Sequence, residues 1–217
     1  MTEALEDLRD GKPVLVHDFE DRENEVDMVY LAGEVTHDKV ARLRNDAGGL
    51  VCVAVHPDAA RRLGLGYMSD KLAKAGDERL VDADLGYDDR SSFSTWVNHR
   101  STRTGVTDND RAKTVRRIAD AVETVLAGGV FDFPSEFRAP GHVAVLRGHD
   151  DLLDGRQGHT EMSLALADEA GEVPATVVCE MLDDETGDAM TVDDARRYAD
   201  ENDLAFLTGE GFARLVH

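Results

Sequence analysis

The chain has 217 residues with 24 basic against 45 acidic side chains, a net charge of −21. A surface this negative repels phosphate backbones and anionic headgroups, which argues against nucleic acid and membrane surfaces as partners. Neither a run of about 18 apolar residues nor a basic-then-apolar leader occurs, so no membrane span and no export are expected.

No repeat or linker-like tract interrupts the chain, and one continuous domain over 1–217 is expected. Periodicity predicts a helix over 2–9, capped by Thr2 and stopped at Gly11, then a short apolar strand from Pro13. The charged segment 18–27 reads as a loop, followed by a strand over 28–32. Thr36 caps a helix through 45, Gly48 and Gly49 break it, and 50–55 is a buried strand before Pro57 opens another helix. Residues 69–90 read as a long charged surface excursion, and alternation over 91–98 predicts a strand. Thr107 starts the longest helix, whose buried stripe runs from Ala112 through Ile118 to Leu126 and which ends at Gly128-Gly129. The last third alternates strand 142–146, helix 160–170, strand 176–181, helix 192–201, a short strand 204–207 and a terminal helix. Mixed strands and helices in one domain give an α+β fold with α/β-type layers, a mixed sheet packed with helices.

Cys52 and Cys179 each sit inside an apolar run, cannot build a disulfide framework and read as core thiols in a reducing cytoplasm. Arg supplies 19 of the 24 basic residues. Such a self-repelling charge destabilises the compact state unless ions screen it, and at about 1 M salt the Debye length falls to about 3 Å. The composition therefore predicts a protein working in a salt-rich cytoplasm, with an ordinary acidic protein as the alternative.

Three segments carry candidate chemistry. Between Asp18 and Asp27 lie six carboxylates and Arg22, a grouping that serves either as a hard-cation site completed by substrate oxygens or as a solvated acidic loop. Gly155-Arg-Gln-Gly-His-Thr-Glu161 is a turn feeding a helix, where backbone N–H groups, Arg156 and Thr160 offer a phosphate site and His159 a metal ligand or proton carrier; a plain Thr-capped terminus is the alternative. Glu180 ends an apolar run, where a carboxylate suits proton abstraction or is simply the first solvated residue. His142 opens a strand and faces the same choice between structure and chemistry. The hydroxyl-rich segment 101–105, with Thr104, suits capping or ligand contact, and Trp96 is expected to pack.

The order Asp-Arg-Glu-Asn-Glu-Val-Asp27, Arg-Ala-Pro-Gly-His142, Arg156-Gln-Gly-His-Thr-Glu161, Val-Cys-Glu180, together with Gly-Leu-Val-Cys-Val at 49–53 and Thr-Gly-Val-Thr-Asp-Asn-Asp-Arg at 104–111, resembles 3,4-dihydroxy-2-butanone-4-phosphate synthase over nearly the whole chain. The resemblance implies conversion of D-ribulose 5-phosphate into L-3,4-dihydroxy-2-butanone 4-phosphate and formate in riboflavin biosynthesis. It further implies Mg²⁺ or Mn²⁺ stabilising an enediolate, and a homodimer with sites near the subunit interface. Carried over, it makes Glu23 and His159 the metal ligands. Arg22, Glu23, Asp27, Arg156, Gln157, Gly158, His159, Thr160, Glu180 and Thr104 become substrate-binding residues, and Glu180, His142 and Asp27 catalytic. Val26 stands where the family often has Gly, and no GTP cyclohydrolase domain is expected after the synthase. Competing expectations are a non-catalytic, metal-dependent sugar-phosphate sensor and a different metal-dependent sugar-phosphate lyase or isomerase.

Overall fold

The apolar runs fold into one seven-stranded mixed sheet; the computed structural model describes residues 1–81 and 85–213. In chain order the elements are α1 (Thr2–Arg9), β1 (Val14–His17), β2 (Val26–Leu31), α2 (His37–Arg42), β3 (Cys52–Val55), α3 (Pro57–Arg62), α4 (Met68–Ala75) and β4 (Val97–His99). They continue with α5 (Asp108–Leu126), α6 (Phe133–Glu136), β5 (Phe137–Arg147), α7 (His159–Glu169), β6 (Ala175–Glu180), α8 (Val192–Glu201), β7 (Phe206–Thr208) and α9 (Gly209–Ala213). The strand order is β4-β5-β3-β6-β2-β1-β7, with β3–β5 and β1–β7 parallel and the other pairs antiparallel.

Helices cover both faces, which is why β1, β2 and β3 are buried along their whole length and read as largely apolar runs instead of alternating ones. Successive side chains go to opposite faces. Leu15, Met28, Val53 and Val177 join the α5 stripe of Val115, Ile118 and Val122 in one core. Val16, Val29, Cys52 and Val178 meet Leu8 of α1 and Met162 and Leu166 of α7 in the other. Both cysteines are buried and free, and Trp96 packs on Phe93 at 6.1 Å, as expected. No described helix is long and apolar enough to cross a membrane.

Several boundaries move for identifiable reasons. Thr2 does not cap α1; Met1 holds that position without a side-chain bond. The helix capped by Thr36 stops at Arg42, and residues 43–47 wind as a π-turn closed by left-handed Gly48. The strand expected over 91–98 is strand only from Val97, because Phe93 makes a single bridge to Leu146, while β5 begins earlier than expected, at Phe137. The excursion over 69–90 carries α4, none of whose residues is fully buried. Its residues 82–84 lie outside the described residues, as do 214–217 of the expected terminal helix.

Candidate active site

Chemistry-bearing groups converge at one end of the sheet because three connections end there. The β1–β2 loop is built on Asp18, 2% exposed, whose Oδ2 accepts the N–H of Glu23 and whose Oδ1 accepts that of Glu25, both at 3.1 Å. Asn24 turns the chain through φ +55°, a conformation Asn tolerates, and its Oδ1 lies 3.0 Å from His17 Nε2. Asp18 thus serves as scaffold, and Arg22 and Glu23 are presented by the turn it holds.

Strand register supplies two more carboxylates, since Asp27 on β2 lies directly opposite Glu180 on β6. Glu180 Oε2 accepts the N–H of Leu50 at 2.7 Å. The carboxylate fits there only because residue 49 is glycine: a Cβ would stand 2.5 Å from that Oε2 and 2.6 Å from the Glu180 carbonyl oxygen.

The first residue of α7 completes the centre. His159 Nε2 lies 3.1 Å from the Glu25 carbonyl, which can only accept, so Nε2 carries a hydrogen and the ring is fixed. Nδ1 then faces Glu23 Oε2 at 3.2 Å and Asp27 Oδ1 at 3.9 Å. Burial works against the imidazolium, but Asp27, Glu23 and Asp18 outweigh it and lift its pKa to about 9. Burial also pushes Asp27 up to about 8, with Glu180, Glu23 and Glu25 adding to the rise against His159. For Glu23 burial is overcome by His159 and Arg22, and its carboxyl lies below the usual range.

Next to these acids sit two guanidinium groups. Arg22 Nη1 donates to Glu23 at 3.2 Å and Asp18 at 3.4 Å; Arg156 Nη1 donates to Glu161 at 2.9 Å. Glu161, fully buried, also accepts the His149 N–H at 2.9 Å. Both arginines donate to Asp88 Oδ2. Gly158 makes room for the pair, because a Cβ there would lie 2.8 Å from Arg156 Nη1 and 2.9 Å from Arg22 Nη1.

A cavity of about 330 Å³ opens over this cluster, and Arg22, Glu23, Asp27, Arg156, His159, Thr160 and Glu180 all line it. Gln157 lines an adjoining cavity of about 540 Å³. Thr160 does not cap α7; Gly158 holds the cap position. His142 and Thr104 lie together elsewhere. Asn98 joins them: its Oδ1 accepts the His142 N–H at 2.8 Å and its Nδ2 donates to the Thr104 carbonyl at 3.2 Å. Neither is among the residues lining the 330 Å³ cavity.

Sequence reasoning missed Glu25, Cys52, Tyr87, Asp88 and Glu161. Cys52 lines the cavity, and burial pushes its thiol well up, so it remains a thiol. The Glu161 signal was available, as the last residue of the Gly-flanked motif; Asp88 carried none, being one acid among many in the excursion.

Metal-binding donors are present. Ligand atoms of Asp18, Glu23 and His159 lie within 4.8 Å of one another. Asp18 is committed to backbone N–H groups, whereas Asp27 Oδ1 is buried and has no hydrogen-bond partner among the described residues. Carboxylate oxygens, an imidazole nitrogen and one orphaned oxygen suit a divalent cation.

The chain matches the 3,4-dihydroxy-2-butanone 4-phosphate synthase family over residues 2–215. It is 52% identical over 213 residues to the 3,4-dihydroxy-2-butanone 4-phosphate synthase of Archaeoglobus fulgidus, covering 95% of this chain and 90% of that one. Among solved structures it is similar to the Candida albicans enzyme of that name, with TM-score 0.79, 30% identity and coverage of 100% of this chain and 96% of that one. It is also similar to a 3,4-dihydroxy-2-butanone 4-phosphate synthase in complex with two magnesium ions, with TM-score 0.82, 27% identity and coverage of 99% and 95%.

Proposed function

This chain belongs to the 3,4-dihydroxy-2-butanone 4-phosphate synthase family of riboflavin biosynthesis, and from that premise we propose how its site works. D-ribulose 5-phosphate is converted into L-3,4-dihydroxy-2-butanone 4-phosphate and formate, a rearrangement and cleavage that balances without an oxidant or reductant. The observation that supports this most is convergence: Arg22 and Glu23 from the β1–β2 loop, Asp27 from β2, Arg156 and His159 from the start of α7, and Glu180 from β6 line one cavity.

Glu23 and His159 Nδ1 would hold the cation, Mg²⁺ or Mn²⁺, with the unpartnered Asp27 Oδ1, 3.9 Å from that Nδ1, as a further donor. The bound cation supplies positive charge to a substrate carbonyl. Arg22, Arg156, Gln157, Gly158 and Thr160 hold the phosphate at the mouth of α7, where the helix's positive end adds to the guanidinium charge. Asp27, with its carboxyl lifted to about 8, exchanges a proton near neutral pH, and Glu180 faces it across the strand pair as the second proton carrier. Burial of Asp27 and His159 keeps water from competing for those protons.

The working unit is a homodimer in the cytoplasm, in which a second copy brings His142 and Thr104 to the cavity mouth. Their joint position around Asn98, outside the cavity of their own chain, supports that arrangement. The test is formate release from D-ribulose 5-phosphate with Mg²⁺ in molar potassium chloride, repeated with EDTA and with His159→Ala. Metal-dependent formate that vanishes in the variant is expected; no formate from folded wild-type protein would overturn the assignment.

A further inference from the structure

Arg22 and Arg156 converge on a single oxygen, Asp88 Oδ2, which is the contact pattern a phosphate oxygen makes with two guanidinium groups. We propose that Asp88 is an exchangeable internal anion: it fills the seat between Arg22 and Arg156 and leaves when a phosphate monoester arrives. The proposal rests on the phosphate role given to those two arginines above.

The two cations here already face four carboxylates, Asp18, Glu23, Asp88 and Glu161. A phosphate carrying about −1.5 to −2 charges cannot join that cluster unless an anion leaves. Three of the four are anchored. Asp18 takes two backbone N–H groups, Glu161 takes the His149 N–H, and Glu23 faces His159. Among the described residues of its own segment, Asp88 takes the Arg90 N–H at 3.5 Å, and its carbonyl accepts from Leu85 at 3.2 Å.

Donor geometry points the same way. Arg156 spends Nη1 on Glu161 and Arg22 spends Nη1 on Asp18 and Glu23, while Arg156 Nε and Arg22 Nη2 both aim at Asp88 Oδ2, the one seat where the two guanidinium groups reach the same oxygen. Asp88 lines the adjoining 540 Å³ cavity, which Arg22 and Arg156 share with the 330 Å³ one. The exchange thus couples occupation of the site to movement of the Asp88 segment. Tyr87, whose ring centroid lies 5.9 Å below Arg22 Cζ, moves with it.

The test titrates inorganic phosphate into metal-free wild type, Asp88→Asn and Asp88→Ala by calorimetry, and follows amide hydrogen exchange of residues 85–92. If the seat is open in about a tenth of molecules, removing the carboxylate tightens phosphate about tenfold. Phosphate should also speed exchange over 85–92 in the wild type and leave the variants unchanged. Unchanged or weaker phosphate binding in both variants overturns the proposal, since Asp88 would then be a fixed brace for the arginines. Formate release keeps the two readings apart: wild type that turns over ribulose 5-phosphate while its variants fail to bind phosphate more tightly sinks the exchange and spares the enzyme assignment.

Discussion

Gly158→Ala separates catalysis from stability at the guanidinium pair. Gly158 has φ −98° and ψ 170°, extended backbone that alanine adopts freely, so the whole effect comes from the added methyl. That carbon would lie 2.8 Å from Arg156 Nη1, 2.9 Å from Arg22 Nη1 and 3.1 Å from Arg156 Cζ. An unstrained contact needs about 3.5 Å, so both guanidinium groups must retreat by about half an ångström. They are the far ends of flexible side chains, and the fold should lose less than about 1 kcal/mol. Misplacing the groups proposed to hold the phosphate is costlier for rate, where about 1 Å is worth about a hundredfold. We expect kcat/KM for formate release to fall by about ten- to a hundredfold with a melting temperature within about 3 °C of wild type. Gly49→Ala is the contrast: its methyl would press on the Glu180 carbonyl, a backbone atom that already accepts the Gly49 N–H at 3.0 Å and cannot withdraw. Overpacking of about 1–3 kcal/mol should appear there as lost stability. Wild-type kcat/KM in Gly158→Ala would refute the steric reasoning.

Four further outcomes follow from charge and capping. Asp27 and His159 have pKa values raised in the folded state, to about 8 and about 9, so the folded form holds their protons more tightly than the unfolded one. Their stabilising contribution in metal-free protein is complete below about pH 4 for Asp27 and about pH 6.5 for His159, and declines as pH rises to about 9; Asp27→Asn should flatten that decline in a melting-temperature series. A cation must displace the same protons, so Mn²⁺ affinity measured by electron paramagnetic resonance should rise with pH across that range, and a flat profile would count against these groups as its neighbours. We propose that the net charge of −21 makes the fold salt-dependent: melting temperature should climb between about 0.1 and 1 M potassium chloride as the Debye length shrinks from about 10 to about 3 Å, and full stability in dilute buffer would sink the idea. Thr107 accepts the Asp110 N–H at 3.2 Å at the start of α5, so Thr107→Ala should cost about 1 kcal/mol in denaturant unfolding without altering KM.

Local chemistry was legible wherever one residue suffices to specify it. Thr107 and Thr36 cap helices where the sequence places them, Gly48 ends its turn left-handed, and the doubly apolar strands betray a sheet covered on both faces. What could not be read is whatever depends on distant segments meeting. His159 and Glu23 are 136 positions apart, and only the packing of α7 against the sheet brings them to 3.2 Å; the resemblance joined them in advance, their spacing did not. Asp88 has the same limitation, since among 45 acids nothing local marks the one that two arginines share. The β4–β5 register shift at Val97/Asn98 likewise has no periodic signature, and neither has the early start of β5 at Phe137.

The cross-strand pairing of Asp27 with Glu180 has a consequence for the lifetime of the protein in a cell. Like charges directly opposite each other oppose strand pairing, so once pH rises past the lifted pKa of Asp27 the sheet carries two mutually repelling acids at the end of two central strands. A divalent ion held beside them would offset that repulsion, and if it bound only the folded form it would add about 2.7 kcal/mol when its free concentration is a hundred times its dissociation constant. Cation supply would then set the abundance of the folded chain as well as its turnover, and a cell starved of that ion would lose the enzyme to proteolysis in addition to losing its activity.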